Sequence, residues 1–231
     1  MKVVINQSNY LPWKGYFDLI HDADLFVFYD DLQFTKNDWR NRNKLKTPRG
    51  AAWLTIPVGK HLDRLICEVA LPAEGWAAAH WRAIEQNYRA APYFARYAPP
   101  LQEALLGRPW QNLSDLNQHL VRLIAHDVLG IKTRFADSRS YQLTAKKQDR
   151  VFELLRAVGA TTYLSGPAAK AYLEESRFVD AGIELIWKDY GGYPEYPQLH
   201  PPFEPAVSIL DLIFNTGPAA PHYIWGWRGP A

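Results

Sequence analysis

Two adjacent carboxylates, Asp30 and Asp31, close the apolar run Leu25-Phe26-Val27-Phe28-Tyr29. Successive side chains on a strand point to opposite faces, so one carboxylate can meet a ligand as a general base while its neighbour points away. The competing reading is that the pair ends the strand and caps the turn after it. Between Lys36 and Arg49 there are six basic residues against one acidic residue, Asp38. Arg40, Arg42, Lys44 and Lys46 alternate with period two and line one face of a strand, which suits a diphosphate or carboxylate because a guanidinium presents a planar fork. Lys36 and Arg42 are the expected anion ligands. A solvated strand that uses charge to discourage edge pairing is the alternative. His80 shares a helical face with Trp76, Ile84 and Tyr88. It is the candidate proton carrier near neutral pH, against the alternative of a hydrogen-bonded packing histidine.

Further polar residues follow strand-like runs. Val3-Val4-Ile5 leads into Asn6-Gln7-Ser8-Asn9-Tyr10, and a helix restarts near Pro12 and Trp13. In a strand-loop-helix-strand unit that loop opens at the carboxyl edge of a parallel sheet, where open α/β folds bind ligands. Gln7, Asn9, Tyr10 and Trp13 are therefore expected to contact substrate. Ser165-Gly166 and Lys170 occupy a similar strand-to-helix turn that suits an anion, or equally a plain helix cap. Tyr190, Tyr193, Tyr196 and His200 crowd a Gly/Pro-rich loop that reads either as a stacking wall around the substrate, with Tyr196 as its contact, or equally as irregular packing under the loop. Cys67, the single cysteine, sits on an apolar run and reads as a core thiol.

These side chains need a scaffold. A hairpin is expected around Pro48-Arg49-Gly50, joining Arg40–Thr47 to Ala52–Val58, and a short strand from Leu65 to Leu71. Trp76 to Leu106 reads as helical, interrupted at Pro92 and Pro99; Leu113 to Leu129 reads as a helix started by Asn112 or Ser114 and ended by Gly130. Strand and helix then alternate: strand 131–135, helix 145–158, strand 161–164, a helical element from 165, strand 183–187. A last helix opens at Glu204-Pro205 and runs to about Asn215. The economical architecture is a single α/β domain over residues 1–231, a Rossmann-like parallel sheet carrying a β-hairpin and a mainly helical insertion at about 74–130.

Composition narrows the function classes. With 48% hydrophobic and 22% charged residues in 231, the chain can bury a sizeable core and has no run long enough to span a bilayer. A net charge of +2 is too small for a general nucleic-acid binder. The opening residues pass straight into polar sequence without the long apolar region of a secretory signal, so a cytoplasmic location is expected. One cysteine excludes a multi-thiolate metal site, and no metal ligands are assigned. Nine Trp and thirteen Tyr suit pockets that stack sugars, bases or acyl groups. There is no P-loop, Gly-x-Gly-x-x-Gly, Gly-x-Ser-x-Gly or His-Glu-x-x-His sequence, so those readings lack their physical parts.

A less general pattern remains. Gln7-Ser8-Asn9-Tyr10-Leu11-Pro12-Trp13-Lys14-Gly15-Tyr16-Phe17 and Asp30-Asp31-Leu32-Gln33-Phe34-Thr35-Lys36-Asn37-Asp38-Trp39-Arg40-Asn41-Arg42-Asn43 together resemble the WbqC-like family. Further matches lie at Trp53–Val58, Thr162–Gly166, Tyr196-Pro197-Gln198, Phe203-Glu204-Pro205 and Ser208–Leu212, so the resemblance spans nearly the whole chain. It implies sugar tailoring in surface-polysaccharide (O-antigen) synthesis. The resemblance defines no reaction; the expectation is a transferase that moves a group, acyl or aminoacyl, to or from an activated, phosphate-bearing sugar. On that reading Asp31, Asp30 or His80 deprotonates the acceptor, and Lys36 and Arg42 hold the phosphate. Relatives often carry His and Pro beside the glutamine of the first segment, where this chain has Asn6 and Ser8. A weaker resemblance, carried by Gly15 and the topology, is to nucleotidylyltransferase-like folds. Nucleotidyl transfer and a non-catalytic ligand-binding or scaffold subunit are the alternatives. The sequence identifies no cofactor and no oligomeric state.

Overall fold

The computed structural model describes residues 1–229. It opens with β1 (Lys2–Asn6), α1 (Lys14–His21) and β2 (Leu25–Phe28). A separate antiparallel hairpin follows, β3 (Arg42–Thr47) and β4 (Gly50–Thr55), and then α2 (Trp76–Tyr88), α3 (Phe94–Leu106) and α4 (Leu113–Leu123). The α/β rhythm resumes with β5 (Arg134–Asp137), α5 (Lys147–Ala157), β6 (Thr162–Ser165), α6 (Ser176–Asp180) and β7 (Glu184–Trp187), and α7 (Ile209–Thr216) comes last. The five remaining strands form one parallel sheet in the order β5-β2-β1-β6-β7.

The side-chain period of two separates the sheet into two faces. Val4, Phe26, Phe28 and Leu164 join α1, α7 and the helices α2–α4 in one apolar core, whereas Val3, Leu25, Val27 and Tyr163 pack with Val151, Leu154, Leu155 and Phe178 on the other side. The chain steps outward from β1 to β2 to β5, then returns through α5 to β6 on the opposite flank of β1. Strand order therefore reverses between β1 and β6. No helix among the described residues is long and apolar enough to cross a membrane.

Several local expectations change. Residues 65–71 form a short 3₁₀ turn, Ile66–Glu68, with single bridges Gln33–Leu65 and Ala70–Asn112 in place of a strand, which leaves Cys67 half-buried. Pro92 does separate two helices, but Pro99 and Pro100 lie inside α3. Two lost backbone bonds are tolerated there because Ala98, Leu101, Ala104 and Leu105 bury one face. Asn112 caps α4 by accepting from the N–H groups of Ser114 and Asp115; the helix ends in a π turn, Ile124–Val128, before Gly130 at φ +70°. The last helix starts at Ser208, whose hydroxyl accepts from the Leu210 N–H, and not at Pro205. The segment after β6 is a 3₁₀ turn, Pro167–Ala171.

Candidate functional site

The point of strand reversal is open. β1 and β2 pair over four residues, but β1 and β6 pair only at Lys2–Thr162 and Val3–Tyr163 before they diverge. A cleft of about 1200 Å³ lies between the separated ends, walled by Val4, Ile5 and Asn6 on one side and Leu164, Ser165 and Gly166 on the other. Crevices of this kind, outside the carboxyl ends at a topological switch point, are where open α/β sheets hold ligands.

Four hydrogen bonds shape the floor. The Arg40 guanidinium donates to Oε1 of Gln7 at 3.0 Å and to the side-chain oxygen of Asn9. Tyr16 donates to the Gln7 carbonyl at 2.9 Å, and the Tyr10 N–H donates to the Trp39 carbonyl at 3.0 Å. The loop after β1 is thus laced to residues 37–40, and Asn117 secures that segment from α4 by donating to the Arg40 carbonyl at 2.8 Å. Asp38 lines the same wall. Burial works to raise its carboxyl, but Arg40, the Thr35 hydroxyl and the Trp39 N–H outweigh burial and hold it below the usual carboxylate range.

Across the cleft stands the start of α5. Lys146 and Lys147 line the opening, no side chain caps the helix, and Lys147 takes φ +52°. An uncapped helix N-terminus combines free N–H groups with a positive dipole end, and two ammonium groups add to that potential. Gln148 ties α5 to the far wall, donating to the Glu174 carbonyl at 3.2 Å and accepting from its N–H at 3.3 Å. Asp149, also in the cleft, is paired with Arg177. Tyr190 closes the third side: a Cβ on Gly166 would lie 3.5 Å from its hydroxyl. Burial, with the nearby Asp18 charge, raises the Tyr190 phenol, so it acts as a neutral hydrogen-bond donor.

Of the residues singled out from sequence, Gln7, Asn9, Trp13, Arg40, Ser165, Gly166 and Tyr190 line this cleft together. The others lie elsewhere. Asp30 is fully buried, accepting from the Ser8 N–H at 2.7 Å, from the Ser114 hydroxyl and from Gln118 at 3.3 Å. Asp31 accepts from the Ser138 hydroxyl at 2.6 Å and pairs with Arg150. Neither carboxylate lines the cleft, because α4 and the segment after β5 close over the end of β2. Tyr10 is fully buried and donates to Nδ1 of His80 at 2.9 Å, while Nε2 of His80 donates to the Thr55 carbonyl at 3.1 Å. Both ring nitrogens are committed, and burial lowers the His80 pKa to about 4. Its helix face covers the hairpin, not the sheet edge. Arg42 stacks at 4.0 Å on Trp53 and donates to the Asn37 carbonyl; Lys36 is exposed on the neighbouring loop. Lys170 is exposed and lies 5.4 Å from the Trp187 ring centre. Tyr196 is buried against α7, donating to Asp211 at 2.7 Å. Burial raises the Asp211 carboxyl against the opposing pull of Tyr196 and Gln198.

Lys146, Lys147 and the cleft-facing role of Arg40 were not legible as ligands. Arg40 reads as one of a strand's alternating cations, but β3 begins two residues later, which frees it to turn inward. The signal for the lysines was topological: α5 is the helix that carries the chain across β1, so its start must lie at the switch point.

The described residues place one set of potential metal ligands together, Asp18, His21 and Asp22. Lys188 already sits 2.8 Å from Asp18 and 2.6 Å from Asp22, and Arg228 pairs with Asp18, so the acidic charge is matched by protein cations and a metal does not fit.

Comparison with known proteins agrees with the sequence resemblance. The model of the WbqC-like protein family matches residues 7–223. The chain is 48% identical over 225 residues to the uncharacterized protein Rv1507c of Mycobacterium tuberculosis, an alignment covering 96% of this chain and 97% of that protein. No solved structure matches it. Apart from Val4, Ile5 and Asn6, the residues that line the switch-point cleft fall within the matched span, and the chain belongs to the WbqC-like protein family.

Proposed function

We propose that the protein is a group-transfer enzyme that binds a phosphate-bearing sugar in the switch-point cleft and moves an acyl or aminoacyl group to or from it. The observation that carries this reading is the divergence of β1 from β6, which opens a cleft facing an uncapped helix start that bears Lys146 and Lys147. The phosphate rests against those lysines and the first N–H groups of α5, where charge and dipole act together. Gln7 and Asn9 are fixed by Arg40 and orient the sugar through the amide N–H groups they have left. Tyr190 donates toward the same space. Family membership supports surface-polysaccharide synthesis as the setting, where activated sugars are made in the cytoplasm.

Mass spectrometry of products from a nucleotide-sugar panel with candidate acyl donors tests the chemistry. A mass increase matching one acyl group is the expected result. Titration with sugar phosphates tests binding: the Lys146→Gln, Lys147→Gln double variant should bind about tenfold more weakly and with less salt dependence. Equal affinity and equal salt dependence would remove α5 from the site. One observation favours a second reading, a non-catalytic ligand-binding subunit. Asp30, Asp31 and His80 all spend their polar atoms inside the protein. Tight binding without turnover across the panel would establish that reading instead.

A further inference from the structure

The main cleft has a side lobe. A second cavity of about 330 Å³ is lined by Asn9, Pro12, Trp13, Trp39, Asn43 and Ala206, and it shares Asn9, Trp13 and Trp39 with the main cleft. The two indoles therefore stand at the junction of the two spaces. Each is braced from behind: Trp13 meets Tyr190 and Tyr193 edge-on, with ring centres at 5.3 and 6.0 Å, and Trp39 leans on Trp53 at 5.5 Å. Trp39 and Trp53 are themselves exposed, and aromatic walls of this kind receive flat or small apolar groups.

The polar groups of the lobe are unevenly matched. Asn43 is committed, with its NH₂ donating to the carbonyls of Tyr10 and Leu11 and its oxygen accepting from the Lys44 N–H. Asn9 spends its oxygen on Arg40 and keeps its NH₂. The indole N–H groups of Trp13 and Trp39 have no protein acceptor among the described residues and are not sealed from solvent. What remains is a set of donors on apolar walls, with no carboxylate among the lining residues. The charge behind those walls is mixed: Arg40 on Asn9 and Arg42 over Trp53 are offset by Asp38, which lies 3.6 Å from Arg40 and accepts from the Trp39 N–H at 2.7 Å.

We propose that the side lobe is an acyl subsite that takes an uncharged acyl group by its apolar end, with the acyl carbonyl oxygen accepting from the free donors. This deepens the proposed function and rests on it, since the sugar phosphate must occupy the main cleft for its acyl substituent to reach the lobe. A carbonyl supplies the acceptor that the lobe lacks. A bare amine supplies only another donor and no apolar end for the walls.

Calorimetric titration with N-acetylglucosamine 1-phosphate and with glucosamine 1-phosphate tests the assignment. The wild type is expected to bind the acetylated compound about tenfold more tightly, from burial of one methyl group and one satisfied carbonyl. Ala206 is exposed at the lobe's rim. Ala206→Trp fills the lobe and should abolish that preference while leaving the amine compound's affinity unchanged. Trp39→Phe, which keeps a ring wall but removes one donor, should cut the preference about threefold. Equal affinities on the wild type, or a preference that survives Ala206→Trp, overturn the acyl subsite and leave the proposed function standing. Binding of neither compound overturns both.

Discussion

Arg40 lies two residues before β3 begins, yet its guanidinium sits 3.0 Å from Oε1 of Gln7, 33 residues earlier. One cation thereby sets the conformation of the loop that follows β1. Its second bond, to Asn9, makes the contact a fork bridging two amide oxygens. A lysine can reach one of those oxygens but not hold both in a fixed plane. Arg40→Lys should therefore lower stability by about 1–2 kcal/mol and weaken sugar phosphate binding about tenfold. Denaturant melts and calorimetry on the same preparations check this, and a lysine variant with wild-type affinity would show that the loop holds its shape without the fork.

The Asp30 carboxylate is expected to matter for folding. It is fully buried and receives donors from Ser8, Ser114 and Gln118. Asp30→Asn puts an NH₂ among groups that all donate, so one buried donor loses its acceptor, at a cost of about 2–3 kcal/mol. Asp31→Asn, at a partly exposed ion pair with Arg150 and a hydroxyl bond from Ser138, should cost less, about 1 kcal/mol. Urea melts order the two. A stable Asp30→Asn protein with lost ligand binding would return Asp30 to the site.

These two aspartates show why the sequence reads only part of the site. The end of β2 was legible as a strand end, because Leu25–Phe28 is an apolar run halted by acid. What the local pattern does not contain is that Ser114 and Gln118, 84 and 88 residues further on, close over that end. The loop after β1 fared better, since Gln7, Asn9 and Trp13 lie at a sheet edge whose position follows from the first strand-helix-strand unit alone. Lys146 and Lys147 read as an ordinary solvated helix start. Only the order β2-β1-β6 turns them toward the cleft, and that order is fixed by packing on both faces of the sheet.

His80 supplies a pH signature. Its ordinary pKa of 6.5 falls to about 4 because burial disfavours the charged ring. Between those values the unfolded chain binds a proton that the folded chain does not, so stability contributed by His80 is complete above pH 6.5 and is lost as pH falls toward 4. The full shift corresponds to roughly 3 kcal/mol. His80→Gln can still accept from Tyr10 and donate to the Thr55 carbonyl, but it does not titrate. Urea melts at pH 7.5 and pH 4.5 should show a smaller drop for the variant than for the wild type. Identical drops would mean that the ring takes up its proton without unfolding its surroundings.

Gly15 connects the helix to both lobes of the cleft. A Cβ there would lie 2.3 Å from the Trp13 ring, so Gly15→Ala forces the indole to move. The displacement cannot be absorbed cheaply, because Tyr190 and Tyr193 pack against the same ring. Alanine otherwise favours a helix over glycine by about 1 kcal/mol, which offsets part of the strain in stability. The ligand site has no such compensation, since Trp13 lines both the main cleft and the side lobe. Gly15→Ala should therefore change unfolding free energy by no more than about 2 kcal/mol while reducing affinity for N-acetylglucosamine 1-phosphate by about tenfold or more. The companion variant Gly15→Ala, Trp13→Ala removes the clash with the ring. It also loses the ring's packing on Tyr190 and Tyr193, so it should be less stable than the single variant and should not recover the affinity. If the single variant binds as the wild type does, Trp13 is a packing residue of α1 and the junction between the lobes is not where the ligand sits.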